Sequence, residues 1–199
     1  MNVLVFGHSY VRHLERLGNW DRELQLVSGE KVDCRFLFKS HPGKDYRYLL
    51  NNPQEFEIIK LIAPDVIIVI LGGNSICARV TNVEINELAL EFYHKLMTVI
   101  KPDCLRLAVQ IEPRFVEADN RFGTPEAKEF NRRRAVVNNY MNRKLKKKNL
   151  IDNVITLGSV NFLRDPKYFE KDGVHLTKGG LLKYKEAVIG GLVYALEHK

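Results

Sequence analysis

Cysteine is scarce in this sequence of 199 residues. The three cysteines, Cys34, Cys77 and Cys104, are an odd number, lie in separate apolar contexts and lack the short spacing of metal ligands. This pattern argues against a disulfide-rich secreted domain and against a cysteine-based zinc site. We therefore expect buried free thiols in a protein of a reducing compartment.

Long apolar runs are also missing, and none approaches the roughly 20 residues that a helix needs to span a bilayer. The first apolar segment, Val3–Phe6, is broken by Gly7 before a secretory signal could form, so a cytoplasmic location is expected. No glycine-rich phosphate-binding spacing follows this segment, which argues against a dinucleotide-binding or P-loop domain.

The composition is 45% apolar and 28% charged, as in ordinary globular proteins. At this length we expect one domain spanning residues 1–199.

The net charge of +7 is partly concentrated in one segment. Its apolar residues recur near helical spacing, so the basic side chains belong on the outer face of a helix. They form either a solvated face or a weak contact for nucleic acid or anionic lipid. These residues are Arg132, Arg133, Arg134, Arg143, Lys144, Lys146, Lys147 and Lys148.

Five apolar segments alternate with helical patterns, which predicts a doubly wound, flavodoxin-like α/β fold of three layers around a five-stranded parallel sheet. The second strand alternates more than the others and is predicted at a sheet edge. The predicted strands are Asn2–Phe6, Lys31–Phe38, Asp65–Leu71, Leu105–Gln110 and Asn153–Leu157. The predicted helices are Tyr10–Leu17, Pro53–Ile62, Val83–Ile100, Pro125–Lys148 and Thr177–Glu197, with Thr177 able to cap the last one.

Ser9 follows the first strand, where ligands bind in such sheets, and Asp172 and His175 precede the last helix. A serine needs a base to take its proton, and a histidine needs a carboxylate to hold its tautomer. These residues are therefore candidates for a hydrolytic triad. The alternatives are a helix N-cap for Ser9 and an Asp-Gly turn with a surface histidine for the pair.

Ester hydrolysis also needs hydrogen-bond donors aimed at the oxyanion. Three candidates are the backbone N–H of Ser9, the N–H of Gly43 and the side-chain amide of Asn74. Gly43 and Asn74 have an alternative role as turn residues. Arg114, after the fourth strand, suits either a contact with an anionic substrate or a salt bridge.

The chain resembles the SGNH hydrolase superfamily, the GDSL-type esterases and lipases, because four sequence blocks occur in the order seen there. The blocks are Gly7-His8-Ser9, Gly43, Gly72-Gly73-Asn74 and Asp172-Gly173-Val174-His175. The resemblance implies a five-stranded parallel sheet, no cofactor or metal, and ester hydrolysis through an acyl-serine. It implies Ser9 as nucleophile, His175 as base and Asp172 as its orienter, with Ser9, Gly43 and Asn74 forming the oxyanion hole.

Two positions depart from the family pattern. His8 replaces the aspartate that usually precedes the nucleophile, and Ser75 replaces the aspartate that usually follows the third-block asparagine. The opening segment 7–14 also resembles short SGNH-type domains carried by some animal mobile elements.

Two hypotheses follow. The first is a serine esterase for acetyl or other short-chain esters, because nothing in the sequence resembles a lid or a long apolar tunnel. The acyl donor stays open among lipid, acetylated sugar and acylated protein. The second is a degenerate hydrolase that binds nucleic acid or anionic membrane through the basic helix.

Overall fold

A parallel five-stranded sheet forms the centre of the protein. The computed structural model describes residues 1–29, 33–78, 80–114, 125–157 and 165–199. The strands are β1 (Asn2–Gly7), β2 (Arg35–Ser40), β3 (Val66–Ile70), β4 (Leu105–Val109) and β5 (Asn153–Ile155). Their order is β2-β1-β3-β4-β5, and every neighbouring pair is parallel. The doubly wound α/β prediction is confirmed, and so is the edge position of the second strand.

Helices cover both faces of the sheet, as the continuous apolar strands require. One face packs against α1 (Ser9–Glu15), α2 (Trp20–Ser28) and α8 (Lys178–Glu197). The other face packs against five helices. These are α3 (Tyr46–Leu50), α4 (Pro53–Ile62), α5 (Gly73–Cys77), α6 (Asn82–Met97) and α7 (Pro125–Tyr140).

Side chains of β1 alternate between two hydrophobic cores. Val3 and Val5 point into the core beneath α1, α2 and α8, while Leu4 and Phe6 point into the opposite core. All four are fully buried. This alternation follows from the two-residue period of a strand, and it makes β1 a shared wall of both cores.

Several predicted boundaries need correction. The last predicted strand, Asn153–Leu157, ends at Ile155, and the long predicted helix after Pro125 changes into a π-helical turn at Met141–Leu145. Residues 31–32, the predicted start of the second strand, lie outside the described residues. The short helices α2, α3 and α5 escaped prediction. Thr177 does cap α8, through a hydrogen bond that Gly180 N–H donates to its hydroxyl oxygen.

The cysteine prediction is wrong in one respect, because Cys77 is exposed. Cys104 is buried and Cys34 is half-buried, and all three thiols are free. None of the helices in the described part of the chain has both the length and the apolar character of a membrane span.

Gly7 ends β1 at a point of close backbone contact with β3. A Cβ built at Gly7 would lie 2.0 Å from the carbonyl oxygen of Ile70, which also accepts a hydrogen bond from the His8 N–H. No larger residue fits there unless β1 and β3 separate. Glycine at this position therefore fixes where the chain leaves the sheet, two residues before Ser9.

We expect Gly7→Ala to lower the free energy of unfolding by about 1–3 kcal/mol, because the added methyl group forces the backbone apart. Gly190→Ala is the matched control, since a Cβ there meets nothing within 4 Å. In the interior of α8, that change should raise stability by about 0.5–1 kcal/mol. Urea unfolding of the three proteins measures both effects, and equal stability of wild type and Gly7→Ala would contradict the close-contact argument.

Candidate active site

A pocket of about 410 Å³ lies at the carboxyl ends of the strands. It is bordered by residues that follow β1, β2, β3 and β4 and by the segment before α8. The residues that line it are His8, Ser9, Tyr10, Pro42, Gly43, Gly73, Asn74, Glu112, Pro113, Arg114, Phe130, Val174 and His175. Four of the five predicted site residues therefore share one pocket. Asp172 stands behind them, against His175.

Asp172 and His175 form a tight local pair. The Asp172 Oδ2 and His175 Nδ1 atoms are 2.6 Å apart, and Asp172 Oδ1 accepts hydrogen bonds from the N–H groups of Val174 and His175. Partial burial alone would raise the pKa of Asp172, but these hydrogen bonds hold it below its usual value. An ionised Asp172 keeps the proton of the ring on Nδ1, which leaves Nε2 with a free lone pair.

Ser9 is the first residue of α1, and the N-cap position belongs to His8. The Tyr10 N–H donates to His8 Nδ1 at 3.4 Å, so the capping role considered for Ser9 is taken by its neighbour. As a first-turn residue, Ser9 keeps a backbone N–H without an intrahelical acceptor. Both its hydroxyl and its N–H are left for the pocket.

Gly43 and Asn74 lie on neighbouring turns. Lys44 N–H donates to the carbonyl oxygen of His41, closing a turn in which Gly43 has a φ of +73°. That left-handed backbone favours glycine. Asn74 Nδ2 donates to the Lys44 carbonyl oxygen at 2.8 Å, which orients the amide and leaves its second hydrogen free.

The Ser9 hydroxyl has no hydrogen-bond partner among the described residues, and in particular it makes no hydrogen bond with His175. Both side chains border the same pocket, yet no hydrogen bond joins them. Tyr10 provides a different link, because its hydroxyl donates to the carbonyl oxygen of Val174 at 2.6 Å. This bond ties the start of α1 to the segment that carries His175.

Glu112 borders the pocket beside His8, and sequence analysis did not select it. Glu112 Oε1 is 3.7 Å from His8 Nε2, and both side chains are at least nine-tenths buried. Burial raises the pKa of Glu112 to about 7 and lowers that of His8 to about 4, and repulsion from His175 adds to the decrease for His8. Nothing in the sequence separation of His8 and Glu112 predicts that the two side chains lie side by side. The position of Glu112 just after a predicted strand was the available clue.

Arg114 also lines the pocket, and its side chain contacts Phe130 and Cys77. Its guanidinium carbon lies 4.2 Å from the centre of the Phe130 ring, and Nη2 donates to the Cys77 sulfur. Its backbone N–H and carbonyl groups both pair with the side chain of Asn131. Arg114 and Phe130 therefore form one wall of the pocket.

The basic segment divides into two groups. Arg133 donates to the carbonyl oxygens of Ile76 and Val80, and Arg134 donates to that of Ile111, so both are half-buried structural residues. Arg132 is exposed and paired with Glu129. The remaining five are exposed: Arg143, Lys144, Lys146, Lys147 and Lys148.

A larger cavity, about 540 Å³, lies at the opposite end of the sheet, beside Leu105, Asp152 and Lys199. None of the candidate catalytic or oxyanion-hole residues lines it. We therefore assign the candidate active site to the smaller pocket, because Ser9, His175 and the oxyanion-hole candidates line it.

Tyr10 and Tyr184 permit a matched test of the Tyr10–Val174 hydrogen bond. The two buried rings stack with centroids 5.5 Å apart, but the Tyr184 hydroxyl has no partner among the described residues. Tyr10→Phe should lower the free energy of unfolding by about 1 kcal/mol, because the Val174 carbonyl loses its donor.

Tyr184→Phe removes a hydroxyl that makes no bond, so its stability should equal or exceed that of wild type. Urea unfolding of both variants gives the two values. A larger loss in Tyr184→Phe than in Tyr10→Phe would contradict the assignment.

Comparison with known proteins reveals similarity in structure alone. No protein-family model matches the chain, and no curated protein sequence matches it. Among solved structures, a lipase/acylhydrolase from Enterococcus faecalis is similar, with a TM-score of 0.68, 14% identity and coverage of 97% of this chain and 95% of that one. The acetyl xylan esterase AlAXEase has a TM-score of 0.67, 17% identity and coverage of 98% and 100%.

A GDSL-like lipase from Bacteroides thetaiotaomicron is similar as well, with a TM-score of 0.64 and 14% identity. The match covers 99% of this chain and 88% of that one. At these identities the likeness establishes the fold and leaves the activity open. The chain therefore has the fold of the SGNH, or GDSL-type, hydrolases.

Proposed function

We propose that this protein is a serine esterase that hydrolyses small carboxylic esters, acetyl or short-chain acyl, through an acyl-serine intermediate. The observation that carries the proposal is one pocket bordered by Ser9, Gly43, Asn74 and His175, with Asp172 bonded to the far nitrogen of the histidine ring. These are the parts of a nucleophile, its base and an oxyanion hole.

In the proposed reaction, Ser9 Oγ attacks the ester carbonyl carbon while His175 Nε2 takes the hydroxyl proton. The Ser9 and Gly43 N–H groups and the Asn74 amide donate to the resulting oxyanion. The intermediate collapses to an acyl-serine, and the alcohol leaves with the proton from His175. Water then attacks the acyl-serine, again with His175 as base, and releases a carboxylic acid and the free Ser9.

This reaction requires a hydrogen bond between Ser9 Oγ and His175 Nε2. In active sites this bond is often long or misaligned before substrate binds, and it tightens in the complex. His175 is half exposed, and Ser9 is partly exposed, so neither side chain is locked by packing. Asp172 orients the ring throughout.

We expect Ser9→Ala to lower kcat for 4-nitrophenyl acetate by about a thousandfold or more, since the acyl-enzyme cannot form. Ser40→Ala, at the end of β2, is the matched control and should retain wild-type activity. A fluorophosphonate probe should label wild type and Ser40→Ala and leave Ser9→Ala unlabelled. Equal turnover by wild type and Ser9→Ala would refute the mechanism.

A second proposed function is a contact with a polyanion through the five exposed basic residues, which we name the basic surface: Arg143, Lys144, Lys146, Lys147 and Lys148. Its support is their exposure around a single stretch of helix, together with the resemblance of segment 7–14 to domains from animal mobile elements. Such a surface suits either RNA or an anionic membrane. It is compatible with esterase activity.

Neutralising Arg143, Lys147 and Lys148 to Gln should weaken binding to a single-stranded RNA and flatten its dependence on salt, because fewer counterions are released. The control changes three exposed arginines to Gln: Arg12 on α1, Arg16 at its C-cap and Arg22 on α2. The two variants have the same net charge. Fluorescence anisotropy over a salt series measures both. Equal weakening by the two variants would show that only net charge matters and would contradict a specific basic surface. Binding of the same variants to vesicles containing phosphatidylserine tests the membrane alternative.

A further inference from the structure

The pair formed by His8 and Glu112 borders the pocket beside Gly73, which has no side chain. A Cβ built at Gly73 would lie 3.8 Å from His8 Nε2 and 3.9 Å from Glu112 Oε1, both ordinary contact distances. Gly73 itself borders the pocket. The absence of a side chain at this position leaves the two polar atoms uncovered toward the space where the ester would bind.

The hydrogen-bonding capacity of this pair is incompletely used. His8 Nε2 and Glu112 Oε1 are 3.7 Å apart, too far for a direct hydrogen bond. Glu112 Oε2 has no hydrogen-bond partner among the described residues, although it is buried. Buried polar atoms are normally satisfied, so this oxygen at the wall of a pocket requires an explanation.

A single oxygen atom can bridge His8 Nε2 and Glu112 Oε1, the two atoms of the pair that lie nearest each other. An oxygen placed roughly 2.8 Å from each atom, the usual hydrogen-bond length, bridges two groups that are 3.7 Å apart. His8 Nδ1 accepts the Tyr10 N–H, so the ring of His8 has its proton on Nε2 and donates toward the pocket. The bridging group must therefore accept from His8 and donate to Glu112. A hydroxyl does both.

The charges around the pair favour a neutral ligand. Burial holds the pKa of Glu112 near 7 even though a hydrogen bond from its own backbone N–H, the Arg134 and Arg114 guanidinium groups and His175 act against the rise. The His8 ring is neutral at pH 7, since burial lowers its pKa to about 4. A partly protonated carboxyl beside a neutral imidazole has little net charge, which suits a neutral hydroxyl group.

We propose that His8 and Glu112 form a hydroxyl-binding subsite of the pocket, and that the substrates are esters with a free hydroxyl group near the ester bond. This inference rests on the proposed esterase function and narrows its substrate class to polyol or sugar esters, or to hydroxyacyl esters. Glu112 and His8 act here as specificity residues, and the reacting atoms remain those of Ser9 and His175.

Two pairs of substrates test the subsite. Glycerol 1-acetate and propyl acetate differ only by hydroxyls on the alcohol, and ethyl 3-hydroxybutyrate and ethyl butyrate differ only by a hydroxyl on the acyl group. For each pair the measured quantity is the ratio of kcat/KM values. Comparing this ratio between wild type and variants removes the intrinsic difference in reactivity between the two esters.

Three variants report on the subsite in different ways. Glu112→Leu removes the acceptor, and Gly73→Ala lays a methyl group over both polar atoms at ordinary contact distance. Glu112→Gln keeps a side chain that can donate and accept. Thermal unfolding of each variant identifies any that does not fold, and Gly73→Ala leaves the buried pair in place should Glu112→Leu fail.

We expect Glu112→Leu and Gly73→Ala to lower the ratio about tenfold in one of the two pairs, and Glu112→Gln to retain most of it. The pair that responds identifies the part of the substrate that has the hydroxyl. Unchanged ratios in both pairs would overturn the proposal and assign the site to an ordered water only. Failure of wild type to hydrolyse these four esters and 4-nitrophenyl acetate would instead refute the esterase function, so the two failures are distinguishable.

Discussion

The hydrogen bond from the Tyr10 hydroxyl to the Val174 carbonyl oxygen joins the two ends of the chain at the candidate site. Ser9 precedes the donor, and His175 follows the acceptor. Tyr10 is buried against Tyr184 of α8, and burial raises the pKa of its hydroxyl, which therefore remains a donor. The nucleophile and base candidates share a pocket because this bond and the core beneath it hold α1 against the segment before α8.

The position of Ser9 depends equally on the sheet. β1 lies between β2 and β3 and contributes to both hydrophobic cores, so its end is among the most constrained points of the backbone. Gly7 allows the chain to turn out of the sheet against Ile70. His175, in contrast, lies in an exposed turn, and its orientation comes from Asp172. The backbone at Ser9 is thus fixed by the sheet, whereas His175 is oriented by local hydrogen bonds.

The two departures from the SGNH pattern are accommodated by the same kind of contact. His8 Nδ1 accepts the Tyr10 N–H, and Ser75 Oγ accepts the Tyr46 N–H at 3.4 Å. Each residue thus provides the acceptor that an aspartate would offer, but without its negative charge. The change also places an imidazole beside Glu112. Both residues thus make hydrogen bonds at their own turns, and the polar character of the pocket wall is altered.

Sequence patterns predicted the long elements well and the short ones poorly. Helix α4 has the predicted bounds, Pro53–Ile62, because a first-turn proline and a clear apolar period mark it. Helix α2 escaped prediction although its two buried residues, Trp20 and Leu24, are about one helical turn apart. With five residues each, α3 and α5 are too short to display a period.

The parallel sheet, the place of Ser9 after β1 and the local pairing of Asp172 with His175 could be predicted from sequence, since strand composition and a spacing of three residues are properties of nearby residues. Three other features could not be predicted: Glu112 lies beside His8, Tyr10 bonds to Val174, and Arg133 and Arg134 point inward. These contacts join residues distant in the chain, and which of them meet depends on the order of strands in the sheet and on how helices pack across it.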